Sequence, residues 1–320
     1  MRTTIIGPYP RVGSANGDAL RKEMNNFYRG KGDKDAIERL KRDLTVEVVE
    51  EMTDAGITTP HYGMIDVHDE LTWPLESFEG IEFSGMKKVF HTNTHYREPI
   101  VNYKVSRMRP ILSNLHKTAM QLCPMKIEVP GPYTMAKHSV LGSDSPYKNK
   151  HELALDYADI YSEEFSKVDA PLIQFNEPSM IAFGRKHDDI ETMHDIYRKM
   201  ASFESPTSVC TYYGKYTPKI VNTLMNLPVD IVGIDIAWDP DVKDMLSKTH
   251  KGINIGLIDS GDRGFMRIEN PDDIMKTLKE LEKKVDLEHC YLSTNASLEH
   301  LPREYARKKV ELIGEIGRRL

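Results

Sequence analysis

Eight short, strand-like runs recur along the chain, and stretches of helical spacing alternate with them; no other feature restricts the fold as strongly. The runs are TTIIG (3–7), ITTPHYG (57–63), KIEVPG (126–131), LIQFNE (172–177), SVCTYYG (208–214), DIVGIDI (230–236), INIGLID (253–259) and YLSTN (291–295). They are too short for ordinary helices, and most read as apolar throughout, as strands covered on both faces do. Between the first two, residues 35–55 put Ile37, Leu40, Leu44, Val48 and Met52 on one stripe, and Gly56 ends the helix. Asn270 and Pro271 mark an N-cap and a first helical turn, and a closing helix begins at Pro302. Further helices are expected over 108–122, 149–168, 187–204, 217–226 and 240–249.

Eight such alternations in 320 residues predict an α/β fold, a closed (β/α)8 TIM barrel, over an open doubly wound sheet. The first run has no G-x-G-x-x-G turn, which argues against a dinucleotide site. Residues 79–106 break the alternation and read as a hairpin inserted after the second strand, expected to cover or line the barrel mouth. No repeat, low-complexity tract or Pro/Ser-rich linker interrupts the chain, so one domain over 1–320 is expected.

Composition narrows the partners. With 39% hydrophobic and 29% charged residues and a formal charge of -6, the chain has no electrostatic reason to bind nucleic acid or a membrane surface, and a small-molecule substrate is expected. No apolar run approaches the ~18 residues of a membrane span, and MRTTIIGPYPR lacks the apolar core of a signal peptide. A cytoplasmic location is expected on that ground. Cys123, Cys210 and Cys290 are too scattered for a disulfide scaffold, and no C-x-x-C pair suggests structural zinc.

A barrel of this kind builds its site at the C-terminal strand ends. Those ends supply Pro8, Tyr9 and Arg11; His61, Tyr62 and Asp66; Tyr133 and Lys137; Asn176 and Glu177; Cys210, Tyr212 and Tyr213; Asp235 and Trp238; Asp259 and Arg263; and Asn295. Glu177 and Asn176 close an apolar run and point into or beside a lumen, although a glutamate there also serves as a structural bolt paired with arginine or lysine. Asp235 lies in a strand too apolar for an unpaired carboxylate, so it requires a metal, a cation or hydrogen-bond donors. Asp259 ends the seventh run in LIDSGDRG, as a catalytic group or as an Asx-turn. An isolated buried cysteine such as Cys210 is more often packing than chemistry. In the insert, His91 and His95 have the spacing of a helix-borne metal pair but fall in a hairpin, while Asn93 and Arg97 suit contacts to an anionic substrate.

TTIIGPYPR, AGITTPHYGMI, FHTNTHYREPI, VPGPYTMAK, LIQFNEPSM, DIVGIDI, NIGLIDS and STNASLEHLPRE stand in the order found in one family. Together they resemble the catalytic barrel of cobalamin-independent methionine synthase in its short, archaeal-type form, along essentially the whole chain. The resemblance implies a (β/α)8 barrel and methyl transfer at its mouth. It also implies zinc, held by a His-x-Cys pair on the fifth strand, a glutamate on the sixth and a cysteine on the eighth; those positions carry Cys210 and Tyr212, Asp235, and Ala296 here. Only Cys210 and Asp235 retain a metal-binding side chain, fewer than a stable zinc site uses. Pro8, Met64 and Asn176 replace amino-acid-pocket residues, His138 replaces the tryptophan that stacks on folate, and Asp259 replaces a histidine.

A barrel without zinc can still move a methyl group between a methylated pterin or a methylcobalamin-type corrinoid and an acceptor that is not a thiol. The expected catalytic residues are therefore Asp259, Glu177 and Asp235. Asn176, Cys210, Tyr212, Tyr213, Tyr133, Lys137, Asn93, Arg97, Ser260, Asn295 and Tyr62 are the expected binding residues, and a corrinoid protein is a possible partner. Homocysteine methylation at a non-standard metal site of Cys210 and Asp235, and an inactive pterin- or corrinoid-binding barrel, stand as alternatives. The uroporphyrinogen decarboxylase barrel shares this architecture, and fold does not fix the reaction.

Overall fold

The computed structural model describes residues 1–90, 94–182, 192–261 and 266–320. Seven parallel strands follow one another around the sheet in the order β1 (Arg2–Thr3), β10 (Tyr291–Thr294), β9 (Gly252–Ile258), β8 (Ile231–Asp235), β7 (Thr207–Cys210), β6 (Ile173–Asn176) and β4 (Ile127–Pro130). The second predicted strand, 57–63, forms no ladder. It lies between β1 and β4, where the Thr59 amide donates to the Thr3 carbonyl (3.0 Å) and the Lys126 amide to the Pro60 carbonyl (2.9 Å). Side chains take over the ladder's role: the Thr3 amide donates to Thr58 Oγ1 (2.8 Å) and the Thr58 amide to Thr3 Oγ1 (2.9 Å). Pro60 has no N–H to offer, so a regular pairing with β4 cannot form. This segment nonetheless curls the sheet round into a TIM-like barrel.

The insert is a long antiparallel hairpin, β2 (Phe78–Lys88) and β3 (His95–Arg107), with β5 (Val140–Leu141) added parallel to β3. Helix α2 (Lys34–Ala55) carries the predicted apolar stripe and ends on Gly56 at φ +98°, a left-handed cap that glycine adopts without penalty. Helices α5 (Lys150–Phe165), α7 (Pro218–Met225), α9 (Pro271–Leu281) and α10 (Arg303–Arg319) occupy the expected stretches, α9 with Asn270 accepting from the Asp272 amide. Two others are shorter than their periodicity predicts. Ser113 caps α3 (Asn114–Ala119) after Pro110, and α8 is only Val242–Met245. Helix α6 (Met193–Arg198) lies inside the predicted 187–204, part of which falls outside the described residues. Helices α1 (Ala15–Tyr28) and α4 (Pro132–His138) were not expected.

Within the strands, alternation replaces the uniform apolarity read from sequence. Ile127, Val129, Ile173, Phe175, Val209, Val232, Ile234, Ile253 and Ile255 join the main core under the helices. Their neighbours Lys126, Glu128, Gln174, Asn176, Ser208, Cys210, Asp235 and Asn254 are equally buried, and they point the other way, into the barrel. The lumen is consequently polar, and its members must satisfy one another.

Candidate active site

Deep in the lumen, Lys126 and Glu128 form a fully buried ion pair, with Nζ 2.8 Å from Oε2. Lys126 Nζ also donates to the Ile5 carbonyl (2.5 Å) and to Gln174 Oε1 (2.7 Å). Glu128 Oε1 accepts from the Gly7 amide (2.6 Å) and from Asn176 Nδ2 (2.7 Å), and Gln174 Nε2 donates to Asn176 Oδ1 (2.8 Å). Burial alone would raise the Glu128 pKa, but the Lys126 charge and these donors hold it below its ordinary value. Asn176 is thereby fixed by β4 and β6 together. Beside this network Cys210 Sγ accepts from Asn254 Nδ2 (3.4 Å) and contacts Ser208 Oγ at 3.6 Å, and burial pushes the thiol up to about 11. A thiol so placed is not a nucleophile at neutral pH.

Nearer the rim, Asp235 accepts from the Trp238 amide at Oδ1 (2.8 Å) and from the Tyr213 amide at Oδ2 (3.3 Å). Asn295 hydrogen-bonds the same carboxylate, while its own Oδ1 accepts from the Ser260 amide (2.7 Å). Burial pushes Asp235 up to about 8 against these donors, and the charge of nearby Asp259 pushes in the same direction. Asp259 Oδ1 accepts from the Gly261 amide (2.9 Å), the Asx-turn foreseen for LIDSG, and the Asp259 amide donates to Glu269 Oε1 (2.9 Å). Asp235, Asp259, Ser260 and Asn295 therefore share one rim, as the strand-end argument expected.

Phe90 and Tyr96, one from each arm of the hairpin, bring aromatic rings over this rim. Phe90 meets Tyr213 (5.7 Å between ring centroids) and His138 (5.3 Å), Tyr96 meets His138 (4.7 Å), and Tyr213 meets Tyr212 (4.7 Å) and Trp238 (6.1 Å). Phe90 and Tyr213 both sit in the left-handed region, at φ +61° and +70°, which costs a bulky residue about 1–3 kcal/mol and is tolerated only where packing imposes it. Gly214 follows Tyr213 because a Cβ there would stand 1.7 Å from the Ile181 carbonyl oxygen.

Other expected site residues lie elsewhere. Glu177 caps α4: its carboxylate accepts from the Tyr133 amide (3.1 Å), the Thr134 amide (2.7 Å) and the Tyr197 hydroxyl (2.9 Å), and burial pushes it up to about 7. No arginine or lysine pairs with it among the described residues. Tyr133 and Lys137 turn to each other on α4, with Lys137 Nζ 5.3 Å from the ring centroid. Arg97 stacks on Phe83 (4.8 Å) and approaches Glu76 (3.5 Å) on the outer hairpin. Tyr62 packs on His116 (4.4 Å) in a separate cluster on the barrel flank. Asn93, His91 and Arg263 lie outside the described residues. Sequence reasoning missed Lys126, Glu128, Gln174 and Asn254; the K-x-E alternation in KIEVPG was the available signal.

The four positions at which the resemblance implies zinc do not assemble a donor set. Cys210 Sγ is engaged in the lumen, Asp235 is saturated by amide donors, Tyr212 is a buried phenol, and Ala296 has no donor. These residues do not fit a zinc ion.

Comparison with known proteins decides the family. The model described as cobalamin-independent synthase, N-terminal domain, matches residues 79–286, well over half of the chain. The chain belongs to the cobalamin-independent methionine synthase family. It is similar to the methionine synthase of Sulfurisphaera tokodaii, 27% identical over 96% of this chain and 89% of that protein. The Thermococcus kodakarensis methionine synthase is 24% identical with similar coverage, 96% and 90%. The 5-methyltetrahydropteroyltriglutamate–homocysteine methyltransferase of Kali turgidum is matched along 94% of this chain but only 44% of its own length. Among solved structures, a B12-independent methionine synthase from Shewanella sp. W3-18-1 superposes with a TM-score of 0.76 at 20% identity, covering 99% of this chain and 97% of that one. A methyltransferase from Methanosarcina mazei gives 0.53 at 14% identity over 99% and 95%. At these identities the two structures establish the TIM-like fold. The family membership makes the chain a homologue of methionine synthases and methyltransferases, and among the described residues no helix is long and apolar enough to cross a membrane.

Proposed function

We propose that this cytoplasmic, methionine-synthase-like methyltransferase moves a methyl group between a methylated pterin or corrinoid and a small non-thiol acceptor, by a route that does not pass through zinc. One observation carries the reading: the positions at which the resemblance implies zinc present an engaged thiol, a carboxylate held by amide donors, a phenol and an alanine. Without a metal to make a thiolate, a thiol acceptor loses its activation, whereas an amine needs only a proton acceptor and correct orientation. Asp235 is suited to that task, since a carboxyl titrating near neutrality exchanges protons with a ring or amine nitrogen at little cost. Asn295 and Asn176 would orient the ligand, and Tyr212, Tyr213 and Ser260 would shape its pocket. Asp259 supports Asp235 electrostatically. Glu177 acts through the placement of α4.

The deciding experiment runs methyltransfer with methyl-pterin and methylcobalamin donors against homocysteine and amine acceptors, with and without a zinc chelator. Turnover to an amine that survives chelation is expected. Chelator-sensitive methylation of homocysteine that also requires Cys210 would replace this reading with a metal-dependent one. Tight donor binding with no turnover to either acceptor would make the chain a binding barrel.

A further inference from the structure

We infer that the flank of the barrel carries a second small-molecule site, separate from the mouth, for an α-amino acid with an apolar side chain. A cleft of about 390 Å³ opens between the loop after residue 61 and the segment leading into α3. That volume falls within the range of small-ligand pockets. Three features of its wall specify the ligand.

The first is an unmet pair of polar atoms. Asp66 and Trp73 line the cleft, and behind its surface Asp66 Oδ1 and Trp73 Nε1 are both withdrawn from solvent and both without a hydrogen-bond partner among the described residues. A buried acceptor and a buried donor left open each cost about 1–3 kcal/mol, so a ligand offering an N–H to one and an oxygen to the other recovers that cost. The second is charge. Arg109 and Lys117 stand at the rim, neither paired with a carboxylate among the described residues, while Arg109 Nη2 is steadied by the Glu76 carbonyl (3.0 Å). The Glu76 carboxylate faces Arg97 at 3.5 Å, which leaves Asp66 as the anion available to a ligand. The third is the apolar surface that Ile111 and Leu112 give the same wall.

An ammonium for Asp66, a carboxylate for the Arg109–Lys117 rim and Trp73, and an apolar body for the floor together describe one molecule. A simple amine or a simple carboxylate meets only half of the wall. The site does not depend on the reaction at the mouth. The two sites are linked through the chain: Tyr62, which packs on His116 and lies beside Asp66, follows His61, whose pKa responds to Glu128 in the lumen.

The test is calorimetric titration of the full chain with L-leucine and L-phenylalanine, alongside isoamylamine and isocaproate as half-ligands. Tryptophan emission is followed in parallel, since Trp73 is one of two tryptophans. Saturable binding of the amino acids with a change in emission is expected, at least about tenfold tighter than either half-ligand. The doubly substituted R109A/K117A protein, altered only at exposed side chains, should bind the amino acids at least about tenfold more weakly and isoamylamine unchanged. Trp73→Phe should remove the emission response. Absence of binding in the wild type, equal binding of half-ligands, or undiminished binding by R109A/K117A would each overturn the inference.

Discussion

Asp235 and His61 are buried to the same degree, yet burial moves their stabilising contributions in opposite directions with pH. Asp235 is raised to about 8, so between the ordinary carboxylate value and that point the folded chain holds a proton that the unfolded chain has released. Stability therefore falls as pH rises through this window. Asp235→Asn should flatten that decline, recovering on the order of 2 kcal/mol at pH 8.5 relative to pH 5 in urea titrations. Methyltransfer should drop at least about a hundredfold in the same protein if Asp235 handles the proton. His61 is lowered to about 4 by burial, which Glu128 opposes and Lys126 reinforces, so the unfolded chain takes up a proton that the folded chain refuses. Stability is then lost as pH falls from the ordinary imidazole value toward 4. In His61→Asn, which keeps an acceptor for the Gly63 amide, acid unfolding should shift to lower pH. Strand ends announced Asp235, Asp259 and Asn295 at the rim and Asn176 below them in the lumen, because parallel strands deliver their last side chains to one end of the barrel. Lys126 and Glu128 escaped that reading, since runs taken as uniformly apolar conceal an inward-facing polar alternate.

At the scale of elements, the insert hairpin and its place at the mouth were legible, and the way it is fastened there was not. The break in strand–helix alternation over 79–106 predicted the hairpin of β2 and β3, but the left-handed backbone at Phe90 and Tyr213, whose rings meet over the rim, leaves no mark in a pattern of residue types. Phe90→Ala should loosen that cover. With Cys123→Ser as background, since Cys123 is the partly exposed thiol, Cys210 should react with a thiol reagent in alkaline buffer at least about tenfold faster in Phe90→Ala, at a stability cost of about 2–4 kcal/mol. An unchanged labelling rate would show that the hairpin does not control access. Helices were legible where a cap agreed with the stripe, as at Asn270, and were overrun where Pro110 and Ser113 delay the start of α3.

The whole molecule rests on a polar lumen enclosed by an apolar shell, an arrangement that makes its ion pair costly to break and inexpensive to replace. Lys126→Met should destabilise the fold by about 3–5 kcal/mol, because Glu128 is left charged and buried, whereas K126M/E128Q should recover most of that loss in chemical denaturation. If the double substitution is as damaging as the single one, the pair contributes attraction beyond mutual neutralisation. The barrel itself was legible because eight runs in order leave few topologies; its second stave was misread, since threonine hydroxyls and a proline do there what main-chain pairing does elsewhere. That join has a mechanical corollary. A cylinder gapes where its hoop is thinnest, and hydrogen exchange should be fastest among the barrel-strand amides at Thr3 and Thr58, where a clasp of hydroxyls can unlatch without tearing a ladder.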